Sequence, residues 1–134
     1  MEAALILETT FLIDLERELS RNAVGLAQEF LEAHGQHRLC ITHTTTGELA
    51  AGTSLSDRRR WEDFLGAFQV LPCTMDVAWK YGQTYRYLRD NGLLIGTNDL
   101  WIAATALAYD LPIVTKNRRH FLRVPGLEVA DYAS

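Results

Sequence analysis

The sequence predicts a three-layer α/β domain built on a mainly parallel sheet, and three observations carry that expectation. Short apolar runs that are continuous rather than alternating recur along the chain, as in strands covered on both faces. Segments with helical spacing separate them. Strands that alternate with helices pair in parallel through crossover connections. The 134 residues, 48% hydrophobic and 22% charged, suit one domain over residues 1–134 that buries its core without staples. The same balance argues against disorder, a collagen-like repeat and a disulfide miniprotein.

Ala4-Leu5-Ile6-Leu7 reads as the first strand, followed by Glu8-Thr9-Thr10 and a helix from Phe11 to Arg17. Val24, Ala27, Phe30 and Leu31 have helical spacing, with Gly35 as the stop. Leu39-Cys40-Ile41-Thr42 reads as the second strand, and a helix begins over Thr45 to Ala50. Ser56 is read as the cap of a helix through Phe68, and Val70-Leu71 as a weak third strand before Pro72. Thr74 opens a longer helix whose apolar side carries Val77, Ala78, Tyr81, Tyr85 and Leu88, ending near Asn91-Gly92. Asn98 to Tyr109 is apolar nearly all round, the pattern of a helix buried on most sides. Pro112 to Thr115 supplies a fourth strand and Leu127 to Val129 a fifth.

The net charge of −4, from 13 basic and 17 acidic side chains, speaks against a protein that grips nucleic acid chiefly by neutralising phosphates. It leaves room for an enzyme that meets RNA through bound metal and a local basic patch. No apolar run approaches the roughly 20 residues of a membrane span. The N-terminal stretch has an acid at Glu2 and neither a basic leader nor a cleavage site, so no signal peptide is read and a cytoplasmic protein is expected. Cys40 and Cys73 fit neither a redox pair nor a zinc knuckle and are read as small buried hydrophobes.

In open parallel sheets, ligands gather beyond the carboxyl ends of the strands, where strand order reverses. Glu8 directly follows the first strand, Glu48 lies just beyond the second, Asp99 starts the apolar helix, and Asn117 follows the fourth strand by two residues. Carboxylates buried together repel unless a cation lies between them. Hard oxygen donors suit Mg²⁺ or Mn²⁺. Such a metal activates water and offsets charge on a leaving oxygen, which points to phosphodiester hydrolysis. Plainer readings stand beside this one. Thr45-x-x-Glu48 fits a helix capping box, Asp99 could follow a Thr97 cap, Glu8 could be a turn residue and Asn117 a loop residue. The apolar helix behind Asp99 implies a buried start, where an aspartate needs a partner.

Asp14, Glu16 and Glu18 read as a solvated helix face, and Arg58-Arg59-Arg60 as a solvated basic run. Lys116, Arg118, Arg119 and Arg123 flank the site and are candidates to hold a phosphate backbone without reading sequence. The histidines carry no clear signal: Gly35 separates His34 from His37, His43 reads as a loop residue, and His120 as facing solvent or a neighbouring helix. Trp61, Trp79 and Trp101 default to core or interface packing. No Ser-His-Asp triad or phosphate-gripping glycine loop emerges.

The stretch from Leu5 to Leu15 resembles the opening motif of PIN-domain ribonucleases, and Thr46-Gly47-Glu48-Leu49 their second acidic motif. Ile95 to Ala106 resembles the third motif, and Val114 to Phe121 with Val124-Pro125-Gly126-Leu127 the closing one. The similarity runs in order along essentially the whole chain and is nearest to VapC-type toxins of toxin–antitoxin pairs. It implies a Rossmann-like α/β/α fold of four to five strands, Mg²⁺- or Mn²⁺-dependent cleavage of RNA, tRNA-like substrates, homodimers and inhibition by a cognate antitoxin. By resemblance Glu8, Glu48 and Asp99 are the metal-binding acids, and Asn117 falls at the fourth acidic position, where Asn often replaces Asp. Thr10 and Thr115 fall at small hydroxyl positions that hold the acids or metal-bound water. One departure stands out, because the family's first acid is nearly always Asp and this chain has Glu8. The added methylene moves the carboxylate by about 1.5 Å, against a usual tolerance of about 0.5 Å. Glu8 therefore leaves open a fully working nuclease, a weakened or deliberately tamed one, and a non-catalytic scaffold that binds RNA or antitoxin. A phosphoacceptor signalling domain is a distant rival, since Cys73 stands where an acceptor Asp would be needed.

Overall fold

Apolar runs too short for helices become the sheet. The computed structural model describes residues 3–133, so the leader reading that turned on Glu2 lies outside the described residues. Its elements in order are β1 (Ala4–Leu7), α1 (Thr9–Ser20), α2 (Leu26–Ala33), β2 (Arg38–Thr42), α3 (His43–Ala51), α4 (Arg58–Leu65), β3 (Gln69–Leu71), α5 (Met75–Asp90), α6 (Thr97–Tyr109), β4 (Ile113–Val114), α7 (Arg118–Phe121) and β5 (Val129–Ala130). The strands form one parallel sheet in the order β3-β2-β1-β4-β5. Ile6 is level with Cys40 on one side and Ile113 on the other, which fixes β1 at the centre. The chain therefore builds outward from β1 through β2 to β3, then crosses back to β4. Strand order reverses between β1 and β4, and the crevice beyond Leu7 and Val114 is the place where such a sheet binds ligands.

Alternation along β1 sends successive side chains to opposite faces. Leu5 and Leu7 join Phe11, Leu12, Leu15 and Ile41 in one core layer, and Ile6 joins Cys40, Leu88, Leu100, Ile102, Ile113 and Phe121 in the other. Phe11 anchors the first layer with edge-to-face contacts to Phe30 at 5.6 Å and Tyr132 at 4.7 Å. The all-round apolar pattern of α6 is explained by its burial, since Leu100, Ile102, Ala103, Ala104 and Ala106 are all inside. Among the described residues no helix is long and apolar enough to cross a membrane.

Several local expectations change. Asp57, not Ser56, caps α4, accepting from the backbone N–H of Arg59 at 2.9 Å and Arg60 at 3.3 Å. Its carboxylate is the stronger acceptor and stands directly before the helix. Cys73 is exposed and only Cys40 is buried, where burial pushes the Cys40 thiol up. Trp79 is 62% exposed, with the Arg86 guanidinium 5.9 Å from its ring centroid. The three acids of α1 do not share a solvated face, because residues two apart on a helix point in different directions. Glu16 is only 8% exposed, Asp14 holds Lys116 and Tyr132, and Glu18 caps a different helix.

Glu18 supplies what α2 lacks at its own start. The cap residue Gly25 has no side chain to offer, and the Glu18 carboxylate instead accepts from the backbone N–H of Gly25, Ala27 and Gln28, each at 3.0 Å. Burial pushes this carboxyl up, but the donors from Gln28, Ala27 and Gly25 outweigh it and hold it below the usual range. A lowered folded pKa stabilises the fold above the ordinary glutamate range and ceases to do so as pH falls through the lowered value. Glu18→Ala is expected to lower stability by about 1–2 kcal/mol at neutral pH, the usual worth of a cap. The difference in melting temperature from the parent should shrink on acidification; a gap that widens instead contradicts the capping role.

Candidate active site

Glu8 is the first residue beyond β1, and its backbone N–H donates to Val114 O at 2.9 Å, binding the ends of β1 and β4 together at the point of reversal. It is also the N-cap of α1, with Oε2 accepting from Thr10 N at 3.0 Å. Oε1 accepts the Thr10 hydroxyl at 2.7 Å and the Thr115 hydroxyl. Thr115 in turn accepts from Asn117 N at 2.8 Å, so the loop after β4 hangs from the same carboxylate. Only 2% of Glu8 is exposed. Thr10 and Thr115 thus both donate to the Glu8 carboxylate.

Glu48 is not part of a capping box. Helix α3 begins at His43 and its cap is Thr42, whose hydroxyl accepts from Thr45 N at 3.1 Å. That earlier start puts Glu48 in the second turn, too far along to reach back to the cap. Its carboxylate instead accepts from Thr9 Oγ1 at 2.7 Å and Asn98 Nδ2 at 3.3 Å. Asp99 lies in the first turn of α6, where Gly96 is the cap and no side chain caps the helix, so Thr97 does not play that part. Its side chain is half-buried, 24% exposed, with Oδ2 3.6 Å from His120 Nδ1. Asn117 precedes α7 and places its Nδ2 2.9 Å from the same ring nitrogen.

Charge links the three acids. Burial pushes the Glu8 carboxyl up, the Thr115 and Thr10 hydrogen bonds pull it back, and the Asp99 charge adds to the rise. Burial likewise raises Asp99, the Glu48 charge raises it further, and His120 opposes. Both acids end above the ordinary carboxylate range, a strain that a cation between them would relieve. Among the described residues no three His, Cys, Asp or Glu side chains converge tightly enough to hold one ion as they stand. The physical reason is visible in the bonds above, since Glu8 is turned back onto two hydroxyls and Glu48 onto Thr9 and Asn98.

The flanking basic residues divide. Lys116 Nζ lies 3.0 Å from both Asp14 oxygens, and Asp14 also takes the Tyr132 hydroxyl at 2.6 Å. Burial pushes Asp14 up, but Tyr132 and Lys116 outweigh it and hold its carboxyl low, so Lys116 is committed to an ion pair. Arg123 donates to Leu94 O at 3.1 Å. Arg118 and Arg119 are exposed at the start of α7 and carry no ion pair among the described residues. Sequence reasoning missed Thr9, Asn98 and His120. The first two adjoin recognised acids, and His120 lies three residues past Asn117, the spacing of neighbours on a helical turn.

Residues 5–127 match the family described as PIN domain. Ribonuclease VapC2 of Rickettsia felis is 31% identical over 99 residues, covering 70% of this chain and 74% of its own length. The tRNA(fMet)-specific endonuclease VapC of Salmonella typhimurium is 34% identical over 100 residues, covering 71% and 76%. The solved structure of DNA-bound VapBC from Salmonella typhimurium is similar at a TM-score of 0.82 and 25% identity, over 98% of this chain and 99% of that one.

Proposed function

The chain belongs to the PIN-domain family, and from that premise we propose that it is a VapC-type endoribonuclease toxin whose acids Glu8, Glu48 and Asp99 hold a divalent cation. The observation that supports the proposal is that carboxylates from three distant segments lie near enough to act on one another, Asp99 feeling the charge of Glu48 and Glu8 that of Asp99, although as they stand they do not converge on one ion. The donor set fits Mg²⁺ or Mn²⁺, because it offers carboxylate and amide oxygens and no thiolate. When bound, such an ion supplies Lewis acidity and a lowered pKa for its water. The chain's own residues do the rest of the placing. Thr10 and Thr115 orient Glu8, and Thr9 and Asn98 orient Glu48. Arg118 and Arg119 offer charge to the phosphate backbone at the rim.

Likeness to the Salmonella endonuclease supports a tRNA substrate, and likeness to the VapBC complex supports an antitoxin partner. We extend the reading to a homodimeric, cytoplasmic toxin in which residues 1–134 make one domain. Incubation of the protein with tRNA should give cleavage that needs Mg²⁺ or Mn²⁺, stops on chelation and resumes on metal return. The same ions should raise the melting temperature, because they relieve the carboxylate repulsion. A second reading has its own support, since Glu8 is occupied by three donors from Thr10 and Thr115. RNA binding without cleavage under any divalent ion would select that non-catalytic scaffold and reject the nuclease.

A further inference from the structure

Glu16 is the one acid of α1 for which neither the fold nor the acid cluster gives a use. It is only 8% exposed, yet its carboxylate has a single partner among the described residues, the Ser20 hydroxyl, which donates to Oε1 at 2.8 Å. A carboxylate has about four acceptor positions, and oxygens taken this far from water normally have partners. Oε2 has none, and it is not sealed in the core either, since among the described residues the one fully buried side-chain N or O atom without a partner is His37 Nδ1. Glu16 stands between two hollows. Ser20 lines one of them and draws Oε1 to that side, which leaves Oε2 to the other. That second hollow lies between α1 and the end of α3, walled by Ile13, Leu49, Gly52 and Leu55, and Glu48 of the acid cluster lines it too. It has room for about five waters, enough for one planar ring and not for two.

An uncharged ring with N–H groups along one edge fits this place. Aliphatic walls cover the faces of the ring, and the carboxylate accepts from its edge. A cation on Glu48 offsets the charge at that side, and a phosphate held by the cation brings the adjoining nucleotide to the hollow. Guanine carries two adjacent N–H donors on its Watson–Crick edge, the pattern that one carboxylate takes with two bonds, and a base splayed out of single-stranded RNA offers that edge.

We propose that the hollow beside Glu48 is a nucleobase pocket in which Glu16 selects guanine next to the scissile phosphodiester. The inference rests on the metal-dependent nuclease reading and adds to it a specificity-determining residue outside the four acidic-motif positions.

The test is cleavage of a random-sequence pool of single-stranded oligoribonucleotides in Mn²⁺, with the cut ends sequenced. The parent should cut with guanine enriched at one fixed position beside the cut. Glu16→Gln keeps the shape and an oxygen for Ser20 but turns one acceptor into a donor. Its preference for guanine should fall by roughly tenfold to a hundredfold, the worth of one good bidentate base contact. Adenine, which offers an amide one donor and one acceptor, should gain. The Mn²⁺ concentration giving half the full rate should stay that of the parent. Without metal, the methyl NMR signals of Ile13, Leu49 and Leu55 should shift with guanosine 5′-monophosphate more than with the other three nucleotides, and less in Glu16→Gln. A short arginine peptide is the rival occupant, and shifts from that peptide but from no nucleotide would make the hollow a protein-docking site and overturn the proposal. A parent that cuts with no base preference, or a guanine preference that survives in Glu16→Gln, overturns this inference alone. A parent that cuts no RNA with any divalent ion overturns the nuclease reading, and this inference with it.

Discussion

Asp99→Asn should lose divalent-ion-dependent RNA cleavage by about 10³-fold, since metal-borne charge stabilisation is worth several kcal/mol and each 1.4 kcal/mol is a factor of ten. The same substitution should make the protein more stable in the presence of a chelator. Asp99 is raised by burial and by the Glu48 charge, against the pull of His120. A folded pKa above the unfolded one favours the fold below the ordinary aspartate range, and that advantage is lost as pH rises through the raised value. At neutral pH the ionised Asp99 therefore opposes folding, and an uncharged amide of the same shape removes the opposition. Melting curves in chelator should place Asp99→Asn above the parent at neutral pH, with the two converging on acidification. Gains in stability at the expense of function are the mark of a site built for chemistry. A fully active variant contradicts the assignment of Asp99, and an inactive variant that melts early reports a damaged fold in place of a missing ligand.

The contrast between what the sequence discloses and what it hides follows the range of the interactions involved. The central strand and the apolar helix α6 are legible because burial on all sides leaves a continuous signal, and the positions of Glu8 and Asp99 follow from those two elements. Caps are less legible, because shifting a helix start by two residues gives a side chain a new task. Glu48 is an example: with α3 starting at His43, a residue that reads as half of a capping box is delivered to Thr9 and Asn98 instead. Glu18 and Lys116 are hidden for another reason. Their partners are Gly25, Ala27 and Gln28 in one case and Asp14 in the other, and no local pattern says that a surface charge will be consumed by a loop or by a residue far along the chain. His120 belongs with them, since only the packing of α7 against α6 brings it to Asp99.

Glu8→Asp should accelerate metal-dependent cleavage, by as much as about 10²-fold, the scale on which a misplacement near 1 Å acts. Glu8 reaches three donors by bending back over its own helix, with Oε2 on Thr10 N at 3.0 Å and Oε1 on the hydroxyls of Thr10 and Thr115. A glutamate in the N-cap position is unusual, and an aspartate there caps readily through the same backbone N–H. Shortening the side chain by about 1.5 Å loosens the hold of Thr115 and changes where the carboxylate lies relative to Asp99, whose charge it already feels. The control is Glu8→Gln, which keeps the length and an oxygen for the hydroxyls but not the charge. It should be inactive. At neutral pH the loss of the raised Glu8 titration favours the fold, while an amide nitrogen facing Thr10 N cannot accept and gives up the cap of α1. Any gain in stability should therefore be smaller than for Asp99→Asn. An unchanged rate in Glu8→Asp removes the idea that the longer acid is a handicap. Cleavage that survives in Glu8→Gln removes Glu8 from the metal site altogether, leaving Glu48 and Asp99 to hold the ion.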